Sequence, residues 1–389
     1  MQPMRCVFKL RVLVTGPYWS SALCLLLAGF SALTYAQPHV SIAVHTGNPD
    51  LVFSSGKQIN RVQAAQAALA KCRNTMASLL ESEPTGVCEL ARMDDIVVTP
   101  ATKLLPQTPT PLFLWRFQHD EATVYLAGTI HVLKESLYPL PQPYLDAYAA
   151  TQKLVFEVDL SRYPPAEVQQ QTMAYATLPE QSLRQSLPSD TYSQLVSAGL
   201  IYGLPVGQMQ AFKPMLAFQQ LGLLGFIAMG YDPAFGIDHY FGQLGEREAE
   251  NILQLETLDL QLKLLFNQPL DVQTAVLKQA LADVGDIEQS TSALVRAYFN
   301  GDGARLLSLI EEQAGEHPLT RAFNAQLLDQ RNRGMARTIQ AYLESDHSYF
   351  VLVGAAHTVG SRGIVALLES AGFTGTRIAS NQTIPELRQ

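Results

Sequence analysis

Two histidines of this sequence end short apolar runs in the same way. The segment "VYLAGTIH" ends at His131 and the segment "FVLVGAAH" ends at His357, and a glycine, Gly128 or Gly354, stands three residues earlier. A glycine at a strand end permits an unusual backbone angle and the close approach of a ligand. Because ligands gather at the carboxyl edge of open α/β sheets, both imidazoles are predicted to project from that edge.

Two glutamates follow further apolar runs. "LVFE" ends at Glu157 and "ILQLE" ends at Glu256. Burying four ionisable groups without partners would be costly, so mutual pairing or a shared metal is expected. Two imidazoles and one or two carboxylates suit a divalent ion such as Mn, Fe, Co or Zn with positions left open for water. This combination predicts hydrolysis, with a spare carboxylate as the general base.

Structural explanations exist for each of these residues taken singly. A histidine in a lone Gly-x-x-His is often satisfied by a backbone carbonyl. Glu157 can pair with an arginine, and Glu256 can cap a helix that begins near Thr257. Only the matched pair of histidine segments favours the metal hypothesis. The sequence has no Gly-x-Ser-x-Gly elbow, Walker loop, dinucleotide fingerprint or His-Glu-x-x-His motif.

The order of the predicted strands and helices that must position these residues indicates an α/β (α+β) fold. "LFLWRFQ" and "TVYLAG" indicate a β-hairpin, "KLVFEVDL" and "ENILQLE" two further strands, and "SYFVLVG" and "TRIA" two strands near the carboxyl end. Residues 165–245 and 257–345 are mostly helical in pattern. We therefore expect a central mixed sheet in which the first and last strands meet, with a largely helical middle section, plus a small N-terminal helical element.

The amino terminus has the pattern of a secretory signal. Arg5, Lys9 and Arg11 precede the apolar stretch "SALCLLLAGF", and small residues lead up to Ala36. This pattern predicts a signal peptide cleaved after Ala36 and a periplasmic or secreted protein. An uncleaved anchor is the alternative, although the apolar core is shorter than the roughly 20 residues of a spanning helix.

Net charge excludes one class of partner. The whole chain carries a charge of −8, and the signal peptide contributes three positive charges, so the mature chain is still more acidic. Nucleic acid is not expected as a partner because phosphate binding requires clustered Lys and Arg. The apolar stretch at 215–230 is short and is interrupted by Gln219 and Gln220, so no membrane span is expected after signal cleavage.

The predicted signal cleavage also determines which cysteines remain in the mature chain. It removes Cys6 and Cys24 and leaves Cys72 and Cys88 in an oxidising compartment. A disulfide between the two is the default expectation. It would close a loop of about 17 residues and contribute about 3 kcal/mol to stability.

Composition divides the chain into three parts. Residues 1–36 are the predicted signal peptide, 37–107 a small N-terminal region and 108–389 the main domain. Residues 37–56 show no period and are expected to form an exposed lead-in. The Ala- and Leu-rich stretch after them predicts one helix that ends near Leu80.

Six segments resemble the TraB/PrgY/GumN family, which is similar to the Tiki proteins. They run in the family's order over roughly residues 108–380, and the region with the two cysteines lies outside them. The segments are "YLAGTIHVLKESLYPLP", "LVFEVDL", "YDPAFGIDHYF", "ILQLETLDLQLKLL", "QRNRGMARTI" and "YFVLVGAAHTVGSRGIVALLESAGF".

The resemblance implies a metal-dependent site built from two Gly-x-x-His motifs and a glutamate. By position, the implied metal ligands are His131, Glu157 and His357. Glu157, Glu256 and Arg331 are the candidate catalytic residues. Four more residues are implied to support the site or to contact substrate, namely Gly128, Asp238, Asn332 and Gly354.

Two residues complicate this transfer. Gln330 stands where an acidic residue is expected before Arg-Asn, so an ion pair at that point is in doubt. His239 directly follows Asp238 and is a candidate for an extra ligand. A local contact on the face of a helix is the competing interpretation for this histidine.

The resemblance implies an exported metal-dependent hydrolase that acts on a peptide. Tiki proteins are regarded as metalloproteases supported by Mn or Co, and bacterial members of the family have been linked to peptide pheromones and to polysaccharide gene clusters. The alternative is a non-catalytic binding protein that sequesters a peptide or a glycan. A divalent ion, Mn, Co, Fe or Zn, is the expected cofactor, whereas the sequence indicates neither the substrate nor the oligomeric state.

Overall fold

The computed structural model describes residues 37–79, 86–245 and 252–384. The predicted signal peptide, residues 1–36, lies outside the described residues. Within the described ranges, no helix is long and apolar enough to cross a membrane. The apolar stretch at 215–230 instead belongs to a helix that packs inside the protein.

A small antiparallel sheet forms the N-terminal region. Its strands are β1 (Ser41–His45), β2 (Asn48–Ser54), β3 (Cys88–Met93) and β4 (Ile96–Val97). They lie side by side in the order β2-β1-β3-β4. The expectation of an exposed lead-in at 37–56 is therefore wrong. The buried side of β1 carries Ser41, Ala43 and His45, and these small or polar residues give little hydrophobic signal to a sequence reader.

The predicted N-terminal helix lies against this sheet. Helix α1 (Arg61–Leu79) packs on β1 and β3, and its buried side is rich in alanine, which allows the helix to approach closely. A disulfide between Cys72 and Cys88 joins the helix to the start of β3. The disulfide predicted from the sequence is thus confirmed.

A six-stranded mixed sheet forms the centre of the main domain, as predicted. Its strands are β5 (Pro111–His119), β6 (Ala122–Thr129), β7 (Lys153–Phe156), β8 (Ile252–Gln254), β9 (Ser348–Gly354) and β10 (Gly375–Ala379). They lie in the order β10-β5-β6-β9-β7-β8. The hairpin of β5 and β6 is antiparallel, and the pairs β6–β9, β9–β7 and β7–β8 are parallel.

Helices fill the long connections between the strands, again as expected. The helices before β8 are α2 (Ala101–Leu104), α3 (Gln142–Ala149), α4 (Pro165–Ala176), α5 (Leu183–Ser186), α6 (Ser189–Tyr202), α7 (Pro214–Ala228) and α8 (Ile237–Gly245). The later ones are α9 (Leu258–Phe266), α10 (Leu270–Asp283), α11 (Ile287–Phe299), α12 (Gly303–Ala314), α13 (Pro318–Ala325), α14 (Arg331–Leu343) and α15 (Ile364–Ser370). A π-helical turn at Gln326–Gln330 precedes α14.

A buried lysine links the N-terminal region to the main domain. Lys134 is 2% exposed, and its ammonium group donates a hydrogen bond to the Thr99 carbonyl at 3.0 Å and lies 4.7 Å from the centre of the Tyr231 ring. Glu288 accepts a hydrogen bond from the Thr99 N–H at 2.8 Å. The segment around Thr99 is therefore held on both sides by charged groups of the main domain. The domain boundary near residue 108 stays a prediction.

Burial lowers the pKa of Lys134 to about 8, against the opposing effect of Glu89 and Glu288. Between pH 8 and the ordinary value of 10.5, the unfolded chain therefore binds more protons than the folded one. The free energy of unfolding of the wild type should rise across this window by about 3 kcal/mol relative to Lys134→Met. Urea unfolding of both proteins at a series of pH values measures the difference, and parallel curves would contradict the lowered pKa of Lys134.

Candidate metal site at the carboxyl edge of the sheet

Four strands bring their carboxyl ends to one edge of the large sheet. Strands β6 and β9 are paired in register, with Gly128 opposite Val353 and Thr129 opposite Gly354. Just beyond β7 and β8, the Glu256 N–H donates to the Glu157 carbonyl at 2.7 Å. The edge predicted from four separate apolar runs therefore exists, and it brings the two histidine segments and both glutamates together.

His131 is held by the first turn of α8. Its Nδ1 atom lies 2.6 Å from Oδ2 of Asp238, and the Thr129 hydroxyl donates to the other carboxylate oxygen at 2.7 Å. Asp238 raises the pKa of His131 above its ordinary value. The imidazole is 62% exposed, so its remaining edge is open to solvent or substrate.

His357 is held in a buried position by Asn332. Its Nδ1 atom lies 2.6 Å from Oδ1 of Asn332, whose amide nitrogen donates to the Arg362 carbonyl at 2.8 Å. Since that amide oxygen can only accept, Nδ1 of His357 carries the proton and Nε2 keeps its lone pair. Burial lowers the pKa of His357 to about 4, so the ring is neutral near pH 7.

Glu157 lies between the two histidines and an arginine. Its Oε1 atom accepts a hydrogen bond from the Gly354 N–H at 2.6 Å and lies 3.5 Å from Nε2 of His357. Its Oε2 atom is 2.5 Å from Nη2 of Arg331. Burial alone would raise the pKa of Glu157, but the neighbouring His357 and Arg331 lower it to about 2. The carboxylate is therefore ionised and has one oxygen facing the imidazoles.

Arg331 joins the two glutamates. Its Nε atom donates to both oxygens of Glu256, at 3.1 and 2.9 Å, while Nη2 reaches Glu157. The helix cap considered for Glu256 is wrong, because the Thr257 hydroxyl caps α9 by accepting from the Leu260 N–H at 3.2 Å. Glu256 instead binds Arg331 with both oxygens.

Sequence reasoning missed Gln261. Its amide nitrogen lies 3.4 Å from Oε2 of Glu157 and 3.2 Å from Oε2 of Glu256. The only signal was its place in "LETLDLQ", five residues after Glu256. A polar residue on the first turns of a helix is too common for that spacing to attract notice.

The neighbourhood of Gln330 also differs from expectation. The acidic residue one position earlier, Asp329, forms an ion pair of 2.5 Å with Arg362. Asp329 lies in the π-helical turn directly before Arg331, and such turns are frequent at functional sites.

His239 makes a local contact on its own helix. Its Nε2 atom lies 2.8 Å from Nε2 of Gln243, one turn further along α8.

Gly354 marks the point where the predicted ligands meet. A Cβ atom built on Gly354 would lie 3.4 Å from Oε1 of Glu157, 3.6 Å from Nε2 of His131 and 3.6 Å from Cδ2 of His357. The two imidazoles are therefore well within the separation of about 10 Å beyond which a shared ion is impossible. Gly128 has a different role, because a Cβ atom there would come within 3.0 Å of the Ala355 backbone.

The site offers donor atoms for a metal ion but not a complete set of ligands. In the described parts of the chain, no group of three or more His, Cys, Asp or Glu side chains is arranged to hold a metal ion. The chemistry of the donors nevertheless fits one. Both histidines are oriented through Nδ1, by Asp238 and Asn332, as metal-binding histidines are. Nε2 of His131 faces the meeting point, and Nε2 of His357 lies 3.5 Å from Oε1 of Glu157.

Comparison with known proteins identifies the family of this chain. The family model of the TraB/PrgY/gumN family matches residues 113–377. The chain belongs to this family. The matched range includes both histidine segments, Glu157, Glu256 and Arg331. The small N-terminal sheet and the disulfide lie before it.

Curated relatives of this family member are similar at low identity. A protein of Amphimedon queenslandica named "Metalloprotease TIKI homolog" is 21% identical over an alignment of 325 residues that covers 70% of this chain and 62% of that protein. "Metalloprotease TIKI2" of Xenopus tropicalis is 22% identical over an alignment of 329 residues that covers 72% of this chain and 62% of that protein. The chain thus spans less than two thirds of the length of these relatives. No solved structure shows significant similarity.

The two glycines of the histidine segments should respond differently to alanine. Gly354 has φ −52° and ψ 137°, which any residue adopts, and an added methyl group would make ordinary contacts. Gly354→Ala should therefore change the free energy of unfolding by less than about 0.5 kcal/mol, yet weaken binding of Mn or Zn at least tenfold, because the methyl group fills the meeting point.

Gly128→Ala is the matched control for that variant. Its methyl group would press on the Ala355 backbone and on Phe113 at 3.1 Å, so it should cost about 1 to 3 kcal/mol of stability. Urea unfolding and titration calorimetry with each metal measure both effects. Unaltered metal binding by Gly354→Ala would contradict the proposed meeting point.

Proposed function

We propose that this chain is an exported metal-dependent hydrolase that acts on peptides. The observation that carries the proposal is the convergence of His131, His357 and Glu157 on Gly354, with both imidazoles oriented through Nδ1. The relatives named metalloproteases support the same reaction class. The disulfide supports export, because disulfides persist in oxidising compartments.

The residues that would hold the ion follow from the donor atoms. His131 and His357 would bind through Nε2 and Glu157 through Oε1, and the donor set suits Mn, Co, Fe or Zn. When bound, such an ion acts as a Lewis acid and makes water nucleophilic near neutral pH. Asp238 and Asn332 fix the orientation of the two rings, and Asn332 also fixes the tautomer of His357 that this role requires.

Arg331 is placed to stabilise negative charge on the substrate. Its Nε and Nη2 atoms bind the two glutamates, and Nη1 makes no hydrogen bond with any residue in the described ranges. A guanidinium held in this way can donate to a carbonyl oxygen that gains charge during hydrolysis. Glu256 positions Arg331, because both of its oxygens accept from that side chain.

Glu157 is the carboxylate placed for chemistry. Its Oε1 atom faces the imidazoles, whereas Oε2 is bound by Arg331 and Gln261. It can therefore serve as a ligand at one defined atom, whereas a pKa of about 2 makes it a weak base toward the attacking water. Gln261 and Arg331 restrict its rotation, so the reacting oxygen is oriented before substrate arrives.

A binding function without cleavage is the alternative, and one observation favours it. The Glu157 carboxylate already has partners in the Gly354 N–H and Arg331, so it does not need a metal ion to balance its charge. A protein of this kind would sequester a peptide or a glycan. It would release no cleavage product when metal is supplied.

Metal content and peptide cleavage test the proposal together. The exported full chain should take up close to one Mn, Co, Fe or Zn ion and should cleave members of a random decapeptide mixture, measured by elemental analysis and mass spectrometry. The double variant with His131→Ala and His357→Ala should lose the metal and at least 100-fold in activity.

His347→Ala is the matched control for the histidine variants. This histidine lies at the opposite end of β9, beside Asp346, and its replacement should change neither metal content nor activity. A wild type that binds no metal, or full activity in the double variant, would exclude the hydrolase. Capture of peptides without any product would establish the alternative.

A further inference from the structure

Arg362 is bound at two points by the segment that carries Arg331. Its Nη1 atom forms an ion pair of 2.5 Å with Oδ2 of Asp329, and its backbone carbonyl accepts a hydrogen bond from the amide nitrogen of Asn332 at 2.8 Å. Asp329 belongs to the π-helical turn and Asn332 to the first turn of α14. The loop between His357 and α15 is therefore attached to this segment by both the side chain and the backbone of one residue.

The backbone carbonyl of Arg362 determines the orientation of the Asn332 amide. Since the amide nitrogen donates to that carbonyl, Oδ1 of Asn332 is turned to the other side, where it lies 2.6 Å from Nδ1 of His357. The reversed amide would place its oxygen against the Arg362 carbonyl, and neither oxygen could donate to the other. His357 therefore meets an acceptor at Nδ1 because Arg362 provides one for Asn332.

Glu157 favours the opposite tautomer of His357. Its Oε1 atom lies 3.5 Å from Nε2 of the ring, and an ionised carboxylate favours a proton on the nitrogen beside it. A ring that carries its proton on Nε2 cannot bind a metal ion through that atom, because a ligand nitrogen must offer its lone pair. The metal-binding tautomer of His357 thus requires that the acceptor at Nδ1 is held firmly.

The Asp329–Arg362 ion pair is suited to fixing the loop more than to stabilising the fold. The Arg362 side chain is 68% exposed and that of Asp329 16%, and exposed ion pairs contribute little to the free energy of unfolding. Among the described residues, the Arg362 guanidinium has no second ion-pair partner. Without Asp329, Arg362 would therefore keep only its backbone contact with α14, and its carbonyl would be less firmly placed.

We propose that the Asp329–Arg362 ion pair positions the candidate metal site, because it fixes the carbonyl that orients the Asn332 amide and thereby the tautomer in which His357 can bind a metal ion through Nε2. The inference rests on the proposed function in one respect, namely that His357 is a ligand. Both members of the pair are positioning residues and take no part in the chemical step. An acidic residue was expected at Gln330, and Asp329 has this role one position earlier.

The tautomer of His357 tests the inference without any metal ion. In the metal-free full chain labelled with ¹⁵N-histidine, NMR should show a proton on Nδ1 of His357. Asp329→Asn and Arg362→Met should each shift the Nε2 resonance upfield, toward that of a protonated nitrogen. The double variant should shift it no further than the larger single change, because the two residues act as one pair.

Metal affinity gives a second measurement on the same variants. The Kd for Mn or Zn, measured by titration calorimetry, should rise about 3- to 10-fold in Asp329→Asn and in Arg362→Met, less than for the loss of a residue that directly binds a ligand. The free energy of unfolding should hardly change, because the ion pair is largely exposed.

Two variants serve as controls. Arg362→Lys keeps a cation for Asp329 and should retain the wild-type tautomer and affinity. Glu312→Gln removes one carboxylate from an exposed ion pair of 2.6 Å with Arg305 on α12, as Asp329→Asn does at the site, and should change neither quantity.

A changed tautomer in Asp329→Asn and Arg362→Met supports the inference even if the chain binds no metal ion and cleaves no peptide. A tautomer that stays the same in both variants, or a wild type that carries its proton on Nε2, would overturn it.

Discussion

The parallel, in-register pairing of β6 and β9 is the constraint on which the site depends. It sets Thr129 opposite Gly354, so the two histidines that follow these strands leave the sheet at the same height. The close contact of Gly128 with Ala355 keeps that pairing tight. A shift by one residue would turn every side chain of one strand to the other face and separate the imidazoles.

Electrostatic balance at this edge depends on Arg331. Glu157 and Glu256 follow neighbouring strands and would repel each other in a buried site, but one guanidinium binds both. Removing one partner of such a group leaves an uncompensated buried charge, which is strongly destabilising. The same arrangement leaves Oε1 of Glu157 facing the imidazoles. Gln261 is a further donor to both carboxylates.

The N-terminal region is joined to the main domain next to the candidate site. Lys134, three residues after His131, donates a hydrogen bond to the Thr99 carbonyl, so the loop that carries His131 also holds the segment between the two sheets. The disulfide fixes α1 to the start of β3.

Local sequence determined which chemical groups the edge presents, because apolar runs that end in Gly-x-x-His or Glu define strands and their terminal residues without reference to the rest of the chain. It also determined the disulfide, since only Cys72 and Cys88 remain after the predicted cleavage. Only the tertiary structure decided the partners. Asp238 reaches His131 across 107 residues and Arg331 reaches Glu157 across 174, because strand order and helix packing, which are non-local, bring such residues together. The small sheet of the N-terminal region was missed for the same reason: its weakly apolar strands are stabilised by pairing with one another and by α1.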